Sequence, residues 1–250
     1  MMGVKQAARA YAERVLWALL YRVKPLPWGL DFAQDLALRA PEVHVATIFD
    51  VGANVGQSAL DFSRTFPEAT IWSFEPFEAP FRELVRATVG KRVRCFKLAL
   101  GSEPGTASVV PDPQSTDSTI VAAADAEPDD RVEAVEVTTL DRFTEEHAVD
   151  HVDLLKVDTE GFDLEVLKGA ERCLRSHAVS FVEVEAGMNP ENRKHVPFEL
   201  VKSFLEEHGY VLFAVYEQVP EWTGEARLRF ANPVFVTAEI ARRTRLGPAA

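Results

Sequence analysis

The chain has 250 residues, of which 47% are hydrophobic and 26% are charged. This composition is ordinary for a globular domain and excludes both a mainly disordered chain and a collagen-like one. Lys and Arg number 27 against 39 Asp and Glu, a formal net charge of −12. Because phosphate backbones repel so acidic a protein, we expect no nucleic-acid partner. Cys95 and Cys173 fit no metal-binding or redox spacing, which is typical of a reduced, cytoplasmic protein.

The N-terminal segment differs in charge from the rest, since residues 1–24 contain five basic residues and one acidic residue. Apolar residues recur there at three- and four-residue intervals, which predicts an amphipathic helix over residues 4–22. Its longest apolar run, Val15 to Tyr21, is too short to span a bilayer, so we expect no transmembrane segment. We interpret residues 1–44 as a helical extension. Two interpretations of its apolar face stay open: packing on the domain or on a second copy in a homodimer, or contact with a membrane surface or substrate as a lid.

Beyond this extension, short apolar runs alternate with amphipathic ones. Strands are predicted at 47–50, 70–75, 93–100, 151–157, 179–185, 211–216 and 232–237. Helices are predicted at 31–39, 57–66, 79–89, 163–175 and 198–208. This alternation predicts one α/β domain over residues 45–240, with a mostly parallel sheet and helices on both faces. The proline-rich stretch 101–140 predicts an inserted hairpin and loop, and residues 241–250 a flexible tail.

A glycine-rich turn follows the first predicted strand, in the segment from Asp50 to Gly56. Gly52 lets the chain turn sharply, Gly56 lets the next helix pack closely, and small residues such as Ala53 let a ligand approach the backbone. Amides of the turn and of the helix start can bind an anionic group. Gln57 and Ser58, at the start of the predicted helix, are therefore candidates for binding the cofactor. Asn54 stands where a dinucleotide-binding turn has glycine, which argues against a pyrophosphate at this position.

An acidic residue, Glu75, ends the next predicted strand. A carboxylate accepts two hydrogen bonds, so at the carboxyl end of a neighbouring strand it can hold both hydroxyls of a ribose. The competing interpretation is a solvated glutamate at a strand end. Strand, turn, helix, strand and acid together predict a nucleoside-type cofactor at this edge of the sheet.

These residues resemble a known family. The segment Asp-Val-Gly-Ala-Asn-Val-Gly is similar to the S-adenosylmethionine (SAM) motif of class I methyltransferases, and Ser-Phe-Glu-Pro, residues 73–76, to the acidic motif that follows it. Lys-Val-Asp-Thr-Glu-Gly at 156–161 and Leu-Lys-Gly-Ala at 167–170 are similar to FkbM-type methyltransferases. The resemblance covers residues 48–185, over half the chain.

The resemblance implies a Rossmann-like sheet of seven mostly parallel strands with an antiparallel last strand. It also implies SAM-dependent O-methylation of a sugar, glycoside, polyketide or other small natural product. The residues it places at the methionine moiety are Asp50, Gly52, Asn54 and Gly56. Those it places at the ribose and adenine are Glu75, Pro76, Phe77, Ala99 and Leu100. It places Asp158 beside the transferring methyl group.

The catalytic candidates lie in the fourth and fifth predicted strands or shortly after the ends of these strands. Lys156 lies inside a strand that we expect to be buried, so it requires a charged partner, and Asp158 is favoured over Asp50 or Glu183. Removing a hydroxyl proton requires a base or a metal. The candidates are Asp158, Glu160, Glu185, Lys156 and the loop residue His195. No metal site is assigned, although Asp158 and Glu185 are an arrangement that Mg²⁺ accepts.

Two other functions stay open. A nicotinamide-dependent oxidoreductase or epimerase would share the sheet, but Asn54 and the lack of a Tyr-x-x-x-Lys pair disfavour it. A catalytically silent SAM-binding domain is disfavoured by the complete set of motif residues. A nucleic-acid methyltransferase is disfavoured by the net charge.

Overall fold

The computed structural model describes residues 26–109 and 133–243. The predicted helix at 4–22, most of the predicted insertion loop and residues 244–250 lie outside these ranges. Within them, no helix is long and apolar enough to cross a membrane.

Eleven strands are found in the described ranges. They are β1 (Thr47–Val51), β2 (Thr70–Phe74), β3 (Val93–Phe96), β4 (Ala99–Leu100), β5 (Gly105–Val109), β6 (Glu133–Thr138), β7 (Val152–Val157), β8 (Val179–Val184), β9 (Ala186–Gly187), β10 (Tyr210–Pro220) and β11 (Leu228–Thr237). The helices are α1 (Phe32–Arg39), α2 (Gln57–Thr65), α3 (Glu78–Ala87), α4 (Leu140–Glu146), α5 (Asp163–Lys168), α6 (Glu171–Arg175), α7 (Phe198–Glu207) and α8 (Ala238–Arg243).

The main sheet has the order β10-β11-β8-β7-β1-β2-β3, and the short β9 pairs with β11. Five neighbouring strands, from β8 to β3, are parallel, while β11 runs antiparallel to both of its neighbours. This confirms the predicted α/β fold, with seven mostly parallel strands and an antiparallel last strand. The carboxyl ends of β1, β2, β7 and β8 meet at one edge, where ligands bind in open α/β sheets.

Both faces of the main sheet are covered, because its central strands are apolar on both sides. Phe49 of β1 and Leu155 of β7 pack in one core cluster with residues of α4, α5 and α7. Ile48 and Leu154, one residue earlier in each strand, pack in a second cluster with residues of α1, α2 and α3. The period-two alternation of each strand therefore decides which helices it contacts.

The third predicted strand, 93–100, is two strands. Strand β3 ends at Phe96, and β4 joins a second sheet of order β4-β6-β5. Strands β5 and β6, which pair antiparallel, lie within the stretch where the inserted hairpin is predicted. Ala99 and Leu100 of β4 line a cavity at the carboxyl edge of the main sheet.

The predicted helix at 163–175 is also divided, into α5 and α6. A side-chain Cβ at Gly169 would lie 1.9 Å from the carbonyl oxygen of Gly101. The backbone of the insertion therefore presses against this point, and only glycine fits there. Helix α4 was not predicted; it begins after Thr139, whose side chain accepts a hydrogen bond from the Arg142 amide. Helix α8 ends at Arg243, three residues into the predicted tail.

Candidate active site

The turn between β1 and α2 is held in left-handed backbone conformations. Gly52 has φ +83° and Gly56 has φ +96°, while Asn54 adopts φ +48°. A Cβ at Gly52 would lie 1.8 Å from the carbonyl oxygen of Asp158. The turn therefore crosses the end of β7 at a separation that excludes any side chain, which explains the glycine in physical terms.

Glu75 points into this turn. Its Oε2 accepts a hydrogen bond from the Asn54 amide and its Oε1 one from the Phe77 amide, each at 2.9 Å. Only 4% of the residue is exposed. Burial raises the pKa of Glu75 to about 7, and the two backbone hydrogen bonds offset only part of this effect. The carboxylate therefore joins the two segments predicted to bind a nucleoside.

A cavity of about 330 Å³ lies at this edge of the sheet. Eleven residues predicted to contact a cofactor line it. They are Gly52, Ala53, Asn54, Gln57, Ser58, Glu75, Pro76, Phe77, Ala99, Leu100 and Asp158. The catalytic candidates Glu160 and Glu185 line it as well. The cofactor cavity, as we call it, is therefore built from the segments that the sequence singled out.

Six lining residues were missed in the sequence. They are Val51, Phe74, Pro80, Leu98, Thr159 and Phe162. Most are apolar, and nothing distinguishes an apolar residue at a cavity wall from one in the core. Thr159 lies within the Lys-Val-Asp-Thr-Glu-Gly segment, and Val51 and Phe74 are the last residues of their strands. For Val51 and Phe74, the position at a strand end was a signal that could have found them.

Two predicted cofactor residues, Asp50 and Gly56, do not line the cavity. Alternation along β1 turns Asp50 to the face opposite Val51, where it is fully buried beside Ser73. Burial raises the pKa of Asp50 to about 6, although the ammonium of Lys156 opposes the shift. Gly56 precedes α2, and a Cβ there would lie 3.1 Å from Leu84 of α3. It allows close packing rather than ligand contact.

Lys156 lies in a polar row across the sheet, opposite Asp50 on β1 and Glu183 on β8. Its Nζ lies 2.8 Å from Oδ2 of Asp158, which confirms the predicted pairing. Burial would lower the pKa of Lys156, but the three surrounding carboxylates hold it above its usual range. Burial also raises the pKa of Glu183 to about 7. The ammonium is therefore a fixed positive charge beneath the site.

His195 is brought to the same edge by the loop after β9. Only 5% of it is exposed, whereas histidines in loops are commonly solvated. Its Nε2 lies 2.8 Å from Oε2 of Glu185 and 3.8 Å from Oε2 of Glu160. On the other side of the ring, Nδ1 lies 2.8 Å from Nδ2 of Asn192. The Asn192 contact holds the imidazole with Nε2 directed at Glu185.

The pKa values of Asp158 and Glu185, which both line the cavity, are shifted in opposite directions. Burial would raise the pKa of Asp158, but the Lys156 ammonium holds it below its usual range. Burial raises the pKa of Glu185, and the hydrogen bond from His195 offsets part of that increase. Glu185 is therefore the more basic of the pair and the better acceptor for a proton.

One group of side chains among the described residues has the convergence that a metal requires. Ligand atoms of Glu160, Glu185 and His195 all lie within 4.8 Å of one another. The Mg²⁺ arrangement predicted from sequence paired Glu185 with Asp158 instead. Asp158 faces the ammonium of Lys156, whose positive charge opposes a cation at that oxygen. A further ammonium, that of Lys194, lies 3.1 Å from Glu160.

A second cavity, of about 350 Å³, lies between α1, α2 and the carboxyl edge of the sheet. Ser58, Asp158 and Glu185 line both cavities, so the two adjoin at these residues. We call it the acceptor cavity. Its aromatic side chains include Phe32, Phe62 and Tyr216.

Comparison with known proteins agrees with this geometry. The family model described as the methyltransferase FkbM domain matches residues 50–212. The chain belongs to the FkbM methyltransferase family. The methyl donor of this family is S-adenosylmethionine. The resemblance read from the sequence is therefore confirmed.

Curated relatives include the hexuronic acid methyltransferase AglP of Haloferax volcanii, 28% identical over 175 residues, which are 69% of each protein. Methyltransferase 1 of Beauveria bassiana is 28% identical over an alignment of 207 residues, and the match covers 73% of this chain and 78% of that protein. The solved FkbM methyltransferase of Methylobacillus flagellatus has a TM-score of 0.53 at 15% identity, which shows the fold. The match covers 83% of this chain, which spans about half the length of that structure.

The cofactor cavity fits the donor that the family uses. Glu75 presents a carboxylate whose two oxygens are fixed by backbone amides, and such a carboxylate accepts further donors such as ribose hydroxyls. Gly52 lines the cavity without a side chain, because its Cα packs against the carbonyl oxygen of Asp158. Asp158 and Glu185 also line the cavity, and carboxylates favour a positively charged group such as a sulfonium.

Proposed function

We propose that this protein transfers a methyl group from SAM to a hydroxyl oxygen of a sugar, glycoside or similar small natural product. One observation carries the proposal. The carboxylate of Glu75, fixed by the glycine-rich turn, shares a cavity with Glu185, whose carboxylate lies 2.8 Å from a buried histidine. In this proposal, a nucleoside anchor and a proton acceptor line one cavity.

The cofactor residues have distinct parts in this proposal. Glu75 would accept hydrogen bonds from the ribose hydroxyls, and Phe77, Ala99 and Leu98 would form the apolar wall for adenine. The turn at Gly52 would face the methionine end. When bound, SAM supplies a methyl group on a positively charged sulfur, which is open to in-line displacement by an oxygen.

The acceptor hydroxyl requires a proton acceptor, because an alcohol is a weak nucleophile until its proton is removed. Glu185 is placed for this, since it lines both cavities and its pKa is raised by burial. The proton would pass from the hydroxyl oxygen to Oε of Glu185 as the oxygen–carbon bond forms and the carbon–sulfur bond breaks. His195 is a positioning residue that holds the carboxylate through Nε2.

The relatives support the acceptor class. One is named a hexuronic acid methyltransferase, which is consistent with a carbohydrate acceptor for this chain. The aromatic side chains of the acceptor cavity suit the apolar face of a sugar ring.

The experiment is a methyl-transfer assay with SAM and a panel of hydroxylated sugars and small natural products, with mass spectrometry of both products. We expect a methyl ether together with S-adenosylhomocysteine (SAH). Glu185→Gln should lower turnover by about a hundredfold or more while leaving SAH affinity near that of the parent protein. Glu83→Gln, at an exposed glutamate of α3, is the matched control.

Two outcomes would contradict the proposal. Tight SAH binding without turnover on any member of the panel would favour a silent SAM-binding domain. Methylation of nitrogen or carbon, but not of oxygen, would leave the family assignment intact and refute the role of Glu185 as the base.

A further inference from the structure

The walls of the acceptor cavity are strongly acidic. Its described lining includes six carboxylates, those of Asp31, Asp61, Asp158, Glu183, Glu185 and Glu217. Lys156 is the one basic residue in that lining. An anionic acceptor would therefore meet an excess of like charge from the residues described, and like charges in close contact are strongly unfavourable.

The single ammonium is not available to balance an anion. Nζ of Lys156 donates to Oδ2 of Asp158 at 2.8 Å and also faces Asp50 and Glu183 across the sheet. Three carboxylates thus surround one positive charge. Arg64 pairs with the exposed Asp61 and so offsets one of the six lining carboxylates, which leaves an excess of negative charge among the described lining residues.

Asn232 links two of the acids and leaves an acceptor unused. Its Nδ2 donates to Glu217 at 2.8 Å and approaches Glu183 at 3.5 Å. Only 5% of Asn232 is exposed, and its buried Oδ1 has no hydrogen-bond partner among the described residues. A buried polar atom without a partner is costly, so this wall lacks a hydrogen-bond donor.

The opposite wall is aromatic. Phe32, Phe62 and Phe66 line the cavity from α1, α2 and the residue after α2. Aromatic faces attract cations and also cover the apolar face of a ring. The carboxylates and the aromatic rings both favour a ligand that brings positive charge.

We propose that the acceptor carries an ammonium group beside the hydroxyl that is methylated, as an amino-substituted sugar or cyclitol does, and carries no carboxylate. The inference rests on the proposed function, because it concerns the acceptor of that reaction. It separates this chain from its relative that is named for a hexuronic acid. The ammonium would lie towards Glu183 and Glu217, and the hydroxyl towards Glu185.

The test uses three ring alcohols that differ in charge: aminocyclohexanol, cyclohexanediol and hydroxycyclohexanecarboxylate. Their affinities are measured by ligand-observed NMR titration against the full chain, with and without SAH. We expect the amine to bind about tenfold or more tighter than the carboxylate, with the diol between them. Glu217→Gln should reduce this preference several-fold, whereas Glu207→Gln, an exposed glutamate of α7, should leave it unchanged.

Equal or tighter binding of the carboxylate would overturn the inference, and so would failure of the amine to bind. If Glu217→Gln kept the full preference for the amine, the placement of the ammonium beside Glu217 would be refuted. The SAH titration is read separately. Absence of SAH binding would refute the proposed function, whereas normal SAH binding with a carboxylate preference would refute the acceptor class alone.

Discussion

Replacing Glu75 with Gln tests the anchor of the cofactor cavity. Gln keeps the shape of the side chain but presents one oxygen and one NH₂ group. One of the two backbone amides, at Asn54 or Phe77, would then face a donor instead of an acceptor. The substitution also removes the negative charge that the ribose hydroxyls would meet.

The stability effect depends on pH. The pKa of Glu75 rises from 4.5 to about 7 in the fold, and at about 1.4 kcal/mol per pH unit this corresponds to about 3 kcal/mol. Because the folded state binds the proton more tightly, that stability is fully present below pH 4.5 and is lost as pH rises through about 7. Loss of a buried hydrogen bond costs about 1–3 kcal/mol. We therefore expect Glu75→Gln to be destabilising in acid and nearly neutral near pH 8.

The affinity effect has the opposite dependence. In the parent protein the carboxyl must lose its proton to accept both hydroxyls, so SAH affinity should rise about tenfold between about pH 6 and pH 8. In Glu75→Gln, affinity should be about 10- to 100-fold weaker at pH 8 and almost independent of pH. Isothermal titration calorimetry with SAH measures both, with Glu83→Gln as the control. An equal pH dependence in parent and Glu75→Gln proteins would refute the reasoning.

Further predictions concern the turn and the catalytic edge. Gly52→Ala places a Cβ 1.8 Å from a carbonyl oxygen and should lower the free energy of unfolding in urea by about 3 kcal/mol or more, whereas Gly90→Ala, also at positive φ but in open space, should cost about 1 kcal/mol. Asp158→Asn keeps an oxygen that can accept from Lys156, so the melting temperature should change little, while loss of the carboxylate should lower turnover about a hundredfold. A collapsed melting temperature with normal activity per folded molecule would make the residue structural. His195→Gln should lower kcat about tenfold or more without changing SAH affinity, and an unchanged kcat would remove the positioning role. Turnover should persist in the presence of a chelator, because the ammonium groups of Lys156 and Lys194 already pair with Asp158 and Glu160, where a metal ion would otherwise bind. A loss of activity that Mg²⁺ restores would contradict this.

Local sequence determined the elements that carry the cofactor cavity. The turn at Gly52 and the acid at Glu75 are separated by one helix and one strand, and each follows from the order of residues along a short stretch. Hydrophobic periodicity likewise predicted the parallel strands and the hairpin of the insertion. These features depend on neighbours close in the chain, so a single sequence is enough to predict them.

Other features depend on which distant segments meet. Strand alternation placed Asp50 under the sheet edge rather than in the cavity, and the approach of Gly101 divided the helix at Gly169. His195 lies in a loop, as predicted, yet its contacts with Asn192 and Glu185 bury it at the carboxyl edge of the sheet.

The sequence by itself therefore determined the fold family, the methyl donor and the turn that would bind it. Only the tertiary structure decided that Glu185 and His195 share a hydrogen bond and that acidic and aromatic walls enclose the acceptor cavity. The physical reason is that strand order and register bring together carboxylates on or just after β7, β8 and β10. The charge of a cavity depends on all of its walls, and these come from segments that are distant in the sequence.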